Sequence, residues 1–296
     1  MKRFPFFLLI ALLWTCLPST ALVAQTPTTA PVKDIVVIDF FNRARVVPIP
    51  YVDGVRQQVI ASFMHRHRQE ILDAALSRSL SANVPGTGVV DPASAAPEQE
   101  AFLRSRIPAA TLAGARFLVV GTIADYKFEH ISLKDGKAGF RTTMPLLISA
   151  YDIKLGQTIP LQQYLLKGDA VIAEDADRAA VASLGSQMDY YINEYYKFET
   201  AILQLDTYTK KGVLKECYIR SGSTMGVELG DLFEIYEETL IGDVHTRKYI
   251  GRLRVNEVQD GQVSKCKVTH GADAIADAFN NGRPLIAVSA GKALFS

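Results

Sequence analysis

The sequence predicts an α+β fold, an α/β layered sheet domain, followed by a small SH3-like all-β barrel domain. Residues 35–38 and 117–123 are short, nearly unbroken apolar runs, the pattern of strands buried on both faces. Within residues 175–203, Val181, Leu184, Met188, Ile192, Tyr195 and Ile202 recur at steps near multiples of 3.6, the period of a helix buried along one stripe. Beyond residue 206 the period falls to two, with glycines between the runs.

The chain opens with Lys2 and Arg3, followed by eleven uncharged residues, 4–14. That run is too short to cross a bilayer, which takes about 20 apolar residues. A basic start, a short apolar core and then small residues mark residues 1–24 as a cleavable secretory signal peptide. Exits after Ala21 and after Ala24 both satisfy the small-residue rule; the second is favoured and leaves Gln25 first. Cys16 follows Thr15 and the bulky Trp14, a poor setting for lipid attachment, and is read as part of the discarded segment. Residues 25–32 form a Thr/Pro linker with little to bury.

Removing 24 of 296 residues leaves 272, and losing Lys2 and Arg3 takes the net charge from +1 to −1. A near-neutral chain lacks the field that gathers nucleic acid. No later run reaches membrane-spanning length, so peripheral association with the outer membrane is the expectation, without a transmembrane span. Hydrophobic residues make up 48% of the sequence, enough for the cores of one or two domains.

Residues 33–205 are expected to form the first domain. Residues 35–38 read as its first buried strand, ending at Asp39. A proline-bearing stretch, 46–51, leads to a helix from about Val55, whose spacing (Val55, Val59, Ile60, Phe63) continues through Ile71, Leu72, Ala75 and Leu76. Residues 81–97 read as a loop, with at most a short strand at Val89 and Val90, and 97–106 as a helix. After the strand at 117–123, further strands are expected at 146–153 and 163–172, with turns at 134–137 and 154–157.

Residues 206–296 are expected to form the barrel. Val213, Cys217 and Ile219 share one strand face, and Phe233 and Ile235 another. Leu253 and Val255 alternate with Arg252, Arg254 and Asn256, while Val258 falls out of phase, which predicts a bulge near Glu257. Cys266 and Val268 alternate with Lys265 and Lys267, and Gly222, Gly226, Gly230, Gly242 and Gly261 mark turns. Cys217 and Cys266 are expected close together inside the barrel, either bridged, as an oxidising compartment permits, or packed as free thiols.

No phosphate-binding glycine loop and no dinucleotide fingerprint occur in the sequence. Ser223 and Thr224 between Gly222 and Gly226 lack the glycine spacing of a hydrolase elbow, and the loop joins two strands rather than a strand and a helix. His65 and His67 are two apart, on different sides of a helix, within a basic run (65–68) read as a solvated surface; His130, His245 and His270 have no ligand-spaced companions. No catalytic residue, metal site or cofactor is therefore expected. Asp39 is read as a structural cap, with a pocket beside it the alternative. Tyr190, Tyr191, Tyr195, Tyr196 and Phe198 put five aromatics into nine residues. One helix face cannot bury them all, so they read equally as a seam inside the chain and as a surface for a partner.

Residues 34–40 (DIVVIDF) and 114–123 (GARFLVVGTI), with 150–159 (AYDIKLGQTI), resemble the hallmark strands of the CsgG-like family of curli assembly proteins. Gly222, residues 226–236 (GVELGDLFEIY), 250–258 and 263–268 are similar to the C-terminal barrel of FlgT-type flagellar proteins. These resemblances imply a cell-envelope assembly factor with no catalytic residues to transfer. Residues 169–185 are rich in Asp, Glu and Ala where the curli channel has membrane-hairpin strands, and Glu174, Asp175, Asp177 and Arg178 would be costly in lipid.

The expectation is a non-enzymatic exported protein of the periplasm or the periplasmic face of the outer membrane. It would serve as an assembly or secretion accessory that binds other envelope proteins, further copies of itself included. A curli-type channel subunit and a hydrolase or ligand-binding enzyme with a pocket near Asp39 are the alternatives.

Overall fold

The computed structural model describes residues 32–41, 49–65, 68–76, 95–242 and 244–292. The expected signal peptide and Cys16, most of the linker, and the loop with Val89 and Val90 lie outside these residues. Among the described residues no helix is long and apolar enough to cross a membrane. The chain forms a mixed α/β sheet domain followed by a nearly closed seven-stranded antiparallel barrel, the fold class expected.

In the first sheet, β1 (Asp34–Phe40) lies between β2 (Gln69–Asp73) and β3 (Phe117–Ile123) and runs parallel to both. Parallel neighbours need crossovers. These are α1 (Ile49–Met64) and α2 (Ala95–Leu112), which pack on opposite faces of the sheet. Period-two alternation divides the apolar runs accordingly. Val36, Ile38, Phe117 and Val119 enter the core under α1, and Val37, Leu118 and Val120 enter the core under α2. The sheet continues antiparallel through β5 (Ala138–Asp152), which pairs with β3 and β4 (Lys127–Ser132) along one side and with β6 (Gln157–Ala170) along the other. The turns expected at 134–137 and 154–157 join β4 to β5 and β5 to β6, with Gly136 and Gly156 at positive φ.

Two helices, α3 (Ala173–Ala182) and α4 (Gly185–Tyr195), complete the α1 side. Gly168 on β6 lets α3 come down onto the sheet, since a Cβ there would lie 2.1 Å from the Ala176 carbonyl oxygen.

Several expectations are corrected. Ile71 and Leu72 belong to strand β2 rather than to a continued helix, because pairing with β1 overrides their helical spacing. The first helix begins at Ile49, with Pro50 in a first turn that needs no N–H there. Arg68, read as part of a solvated basic run, is buried. The helical stretch ends at Tyr195, and Ile202 lies in β8 (Ile202–Leu205). With β7 (Glu199–Thr200), β8 belongs to the second sheet, so the barrel's strands start before residue 206.

The second sheet runs β7, β13 (Leu285–Lys292), β10 (Asp231–Ile241), β11 (Val244–Val258), β12 (Ser264–His270), β9 (Glu216–Ile219), β8. Its end strands β7 and β8 are consecutive in the chain, which nearly closes the barrel. Phe233, Ile235, Leu253, Val255, Cys217, Ile219 and Cys266 point inward. The register slips between Val255 and Glu257, where the bulge was expected. Val213 is a correction: it precedes β9 and is exposed, and Leu214 takes the buried place. Helix α5 (Ala272–Asn280) and strand β13 were not foreseen. Ile275 of α5 enters the core beside Gly251, where any Cβ would lie 2.7 Å from its Cδ1.

Candidate functional site

The aromatic run 190–198 is a seam inside the chain and not a single outward surface. Tyr191 and Tyr196 are buried in the first core, and Tyr196 sets its ring edge-on to Phe63 and Phe117, both at 4.8 Å. Phe198 belongs to the barrel core, edge-on to Phe233 at 5.6 Å. Tyr195 is half-buried against Tyr191, so of the five only Tyr190 is exposed, at 76%. The helix ends at Tyr195, which is why two neighbours, Tyr196 and Phe198, can serve different cores.

Polar groups lock this seam. Arg68 Nη2 donates to Asp231 Oδ2 at 2.7 Å and Nη1 to Asn193 Oδ1 at 3.1 Å, and its guanidinium lies 5.5 Å from the Phe198 ring centre. Gln69 Nε2 donates to the Tyr196 carbonyl at 3.2 Å, and the Phe198 N–H donates to Ser289 Oγ at 3.1 Å. Sequence reasoning missed Arg68, Asn193 and Asp231. Arg68 is more than a hundred residues from either partner, which leaves no local signal.

Two further buried acids, Asp39 and Asp177, also serve the framework. Asp39 accepts from Arg106 Nε on α2 at 2.7 Å and from the Phe40 N–H at 2.8 Å, tying α2 to the end of β1. Burial pushes its carboxyl above the usual value against the pull of Arg106. Asp177 on α3 accepts from Thr142 Oγ1 at 2.5 Å and from the Tyr126 hydroxyl at 3.2 Å, and Tyr126 stacks on Tyr51 of α1 at 5.1 Å. Ser223 Oγ donates to the Asp260 carbonyl, which holds the glycine-flanked turn against residues 260–261. Among the described residues no three His, Cys, Asp or Glu side chains gather as metal ligands.

Cys217 and Cys266 are buried, face each other in the β9–β12 register and are unbridged. Burial pushes the Cys217 thiol up to about 12 and the Cys266 thiol up as well.

Apolar side chains reach solvent on a projecting arm. β10 pairs with β13 only as far as Glu237, and β11 pairs with β12 only from Arg252. Residues 239–241 and 244–246 therefore continue as a two-stranded ribbon, with Gly242 at φ 65° in its turn. Ile241 and Val244 lie on one face and Leu240 on the other, and all three are exposed. At the base, Arg247 donates to Glu199 Oε1 at 2.6 Å and to Glu238 Oε1 at 3.0 Å. Burial raises the Glu199 carboxyl, but the hydrogen bond and charge of Arg247 outweigh it and hold Glu199 below its usual value.

No known protein family and no curated protein matches this sequence. Among solved structures the chain is distantly similar to the PelC dodecamer of Paraburkholderia phytofirmans, with 8% identity over 55% of this chain and 89% of that one and a TM-score of 0.32. It is similar at the same level to lipoprotein GNA1162 of Neisseria meningitidis (11% identity, 54% and 98% covered, TM-score 0.29). A third such structure is a putative neuraminyllactose-binding hemagglutinin homolog of Helicobacter pylori (10% identity, 56% and 87% covered, TM-score 0.29). The likeness is one of fold, over about half of this chain.

Proposed function

We propose that this chain is a non-enzymatic protein of the cell envelope, an assembly or secretion accessory that works by binding other proteins at the periplasmic face of the outer membrane. The observation that carries the reading is the arm at residues 239–246, whose tip exposes Leu240, Ile241 and Val244 on both of its faces. A tip that is apolar on two sides gains most from an enclosing pocket, because each side buries area only if it is covered. Three buried acids are engaged in framework bonds, Asp39 with Arg106, Asp177 with Thr142 and Asp231 with Arg68, which supports a binding role over turnover.

The long β5–β6 hairpin bears on the channel alternative. Its inward face (Met144, Leu146, Leu166) is packed in the core with α1, α3 and α4 residues, and its outward face carries the Arg141–Asp169 ion pair. That packing and ion pair favour a domain sheet over a membrane hairpin, although Leu165 on the same outward face is exposed. The test replaces Leu240, Ile241 and Val244 together by serine. The variant is expected to keep its melting temperature within a few degrees and to lose its place in the envelope complex. Turnover of a substrate or ion conduction by the purified protein would point to an alternative.

A further inference from the structure

Strand β4 is an edge strand with every residue at least partly exposed and nothing paired to its outer side among the described residues. The hairpin it forms with β5 fixes the direction of its backbone groups. The Leu133 N–H donates to the Lys137 carbonyl at 2.8 Å, and bonding alternates along an antiparallel pair. Ile131, Glu129 and Lys127 therefore bond to β5, while Phe128, His130 and Ser132 turn their N–H and C=O groups outward. The His130 and Phe140 rings, 4.8 Å apart, fit the closer spacing of a non-hydrogen-bonded pair. The other long edge, β6, is better protected: it carries Pro160, and Ser183 Oγ receives the Lys167 N–H.

We infer that the β4 edge pairs with the β4 edge of a second copy of this chain, antiparallel about a two-fold axis at Phe128. The strand's own charges choose the occupant and the register. Lys127 and Glu129 flank Phe128 on the face opposite α3. Glu129 lies across from Arg141, whose salt bridge is to Asp169, and neither Lys127 nor Glu129 makes a salt bridge among the described residues. Two-fold pairing centred on Phe128 sets Lys127 of each copy against Glu129 of the other and Phe128 against Phe128. A two-fold contact is self-complementary in this way. Centring on Glu129 would oppose two like carboxylates, which is disfavoured. Centring on His130 leaves Glu129 facing Ile131. The pairing supplies partners for the outward backbone groups of Phe128 and lengthens the aromatic row already formed by Phe128 and Phe140, 5.2 Å apart. This inference stands independently of the proposed function.

Sedimentation of the mature chain at micromolar concentration tests it, and a dimer is expected. Glu129→Lys places like charges together twice and is expected to weaken the dimer at least about tenfold. Lys127→Glu combined with Glu129→Lys restores opposite charges and is expected to recover most of that loss. A short bis-maleimide should join two copies of a Phe128→Cys variant far better than two copies of Ser132→Cys. A chain monomeric at all concentrations overturns the proposal, even if its β4 amides are protected by another segment. So does a dimer that the charge swap fails to restore, or one cross-linked equally at both positions.

Discussion

The Arg68 guanidinium and the Asp231 carboxylate meet at 2.7 Å with side chains only 3% and 1% exposed, and they join the residue just before β2 to the first residue of β10. Asp231 also accepts the Glu228 N–H at 3.0 Å, so the same carboxylate shapes the turn into β10. The two sheets are thus connected through a desolvated charge pair as well as through the aromatic run.

Asp231→Ala leaves the Arg68 charge buried without its carboxylate. Breaking a buried pair in this way costs about 3–5 kcal/mol. Urea unfolding followed by circular dichroism should show a clearly lower midpoint. Replacing both residues by apolar ones of similar volume should cost less than Asp231→Ala alone. Equal midpoints for wild type and Asp231→Ala would remove the pair from the stability of the seam.

Gly168→Val drives side-chain atoms into the backbone of α3, since even a Cβ would lie 2.1 Å from the Ala176 carbonyl oxygen and 2.3 Å from the Ala180 nitrogen. Overpacking of this kind costs roughly 1–3 kcal/mol or more. Hydrogen exchange should quicken across α3 before it quickens across the barrel.

The fold was legible where the chain's signals are local. Period-two alternation in residues 251–256 placed β11, and its phase error at Val258 placed the bulge. Ile71 and Leu72 could not be placed that way, because only β1 alongside makes them a strand. Helix α5 is short, and its role depends on Gly251 opening space for Ile275. The aromatic run was visible as a cluster, but its division between two cores depends on where α4 stops. Arg68 and Asp231 left no trace, since nothing near either residue announces a partner 163 positions away.

Cys217 and Cys266 should remain free thiols. The Val268 N–H bonds the Lys215 carbonyl, which makes the Cys266–Cys217 position two residues on a hydrogen-bonded pair as well. Cβ atoms at such a pair lie about 5.5 Å apart, beyond the roughly 3.5–4.5 Å that a disulfide takes up. Protein isolated without reductant should label at two thiols when unfolded and at neither when native. An unfolded chain that yields no thiols would show a bridge.

The arm should loosen in acid. Glu199 has a folded value below its usual 4.5, so its contribution is present above that value and is lost as pH falls through the lowered one. The contact is only half-buried, so the effect is below about 1 kcal/mol. Hydrogen exchange at residues 238–247, corrected for intrinsic rates, should rise on acidification. Glu199→Gln should show that faster exchange already at neutral pH.

The most direct test of partner binding compares the size of the native envelope complex containing the wild-type chain with that of the chain carrying Leu240→Ser, Ile241→Ser and Val244→Ser. Both proteins are first shown to be folded by thermal melting. The wild type is expected in a complex larger than its own dimer, and the variant at the size of the chain or its dimer alone. An unchanged complex in the folded variant would contradict binding through the arm.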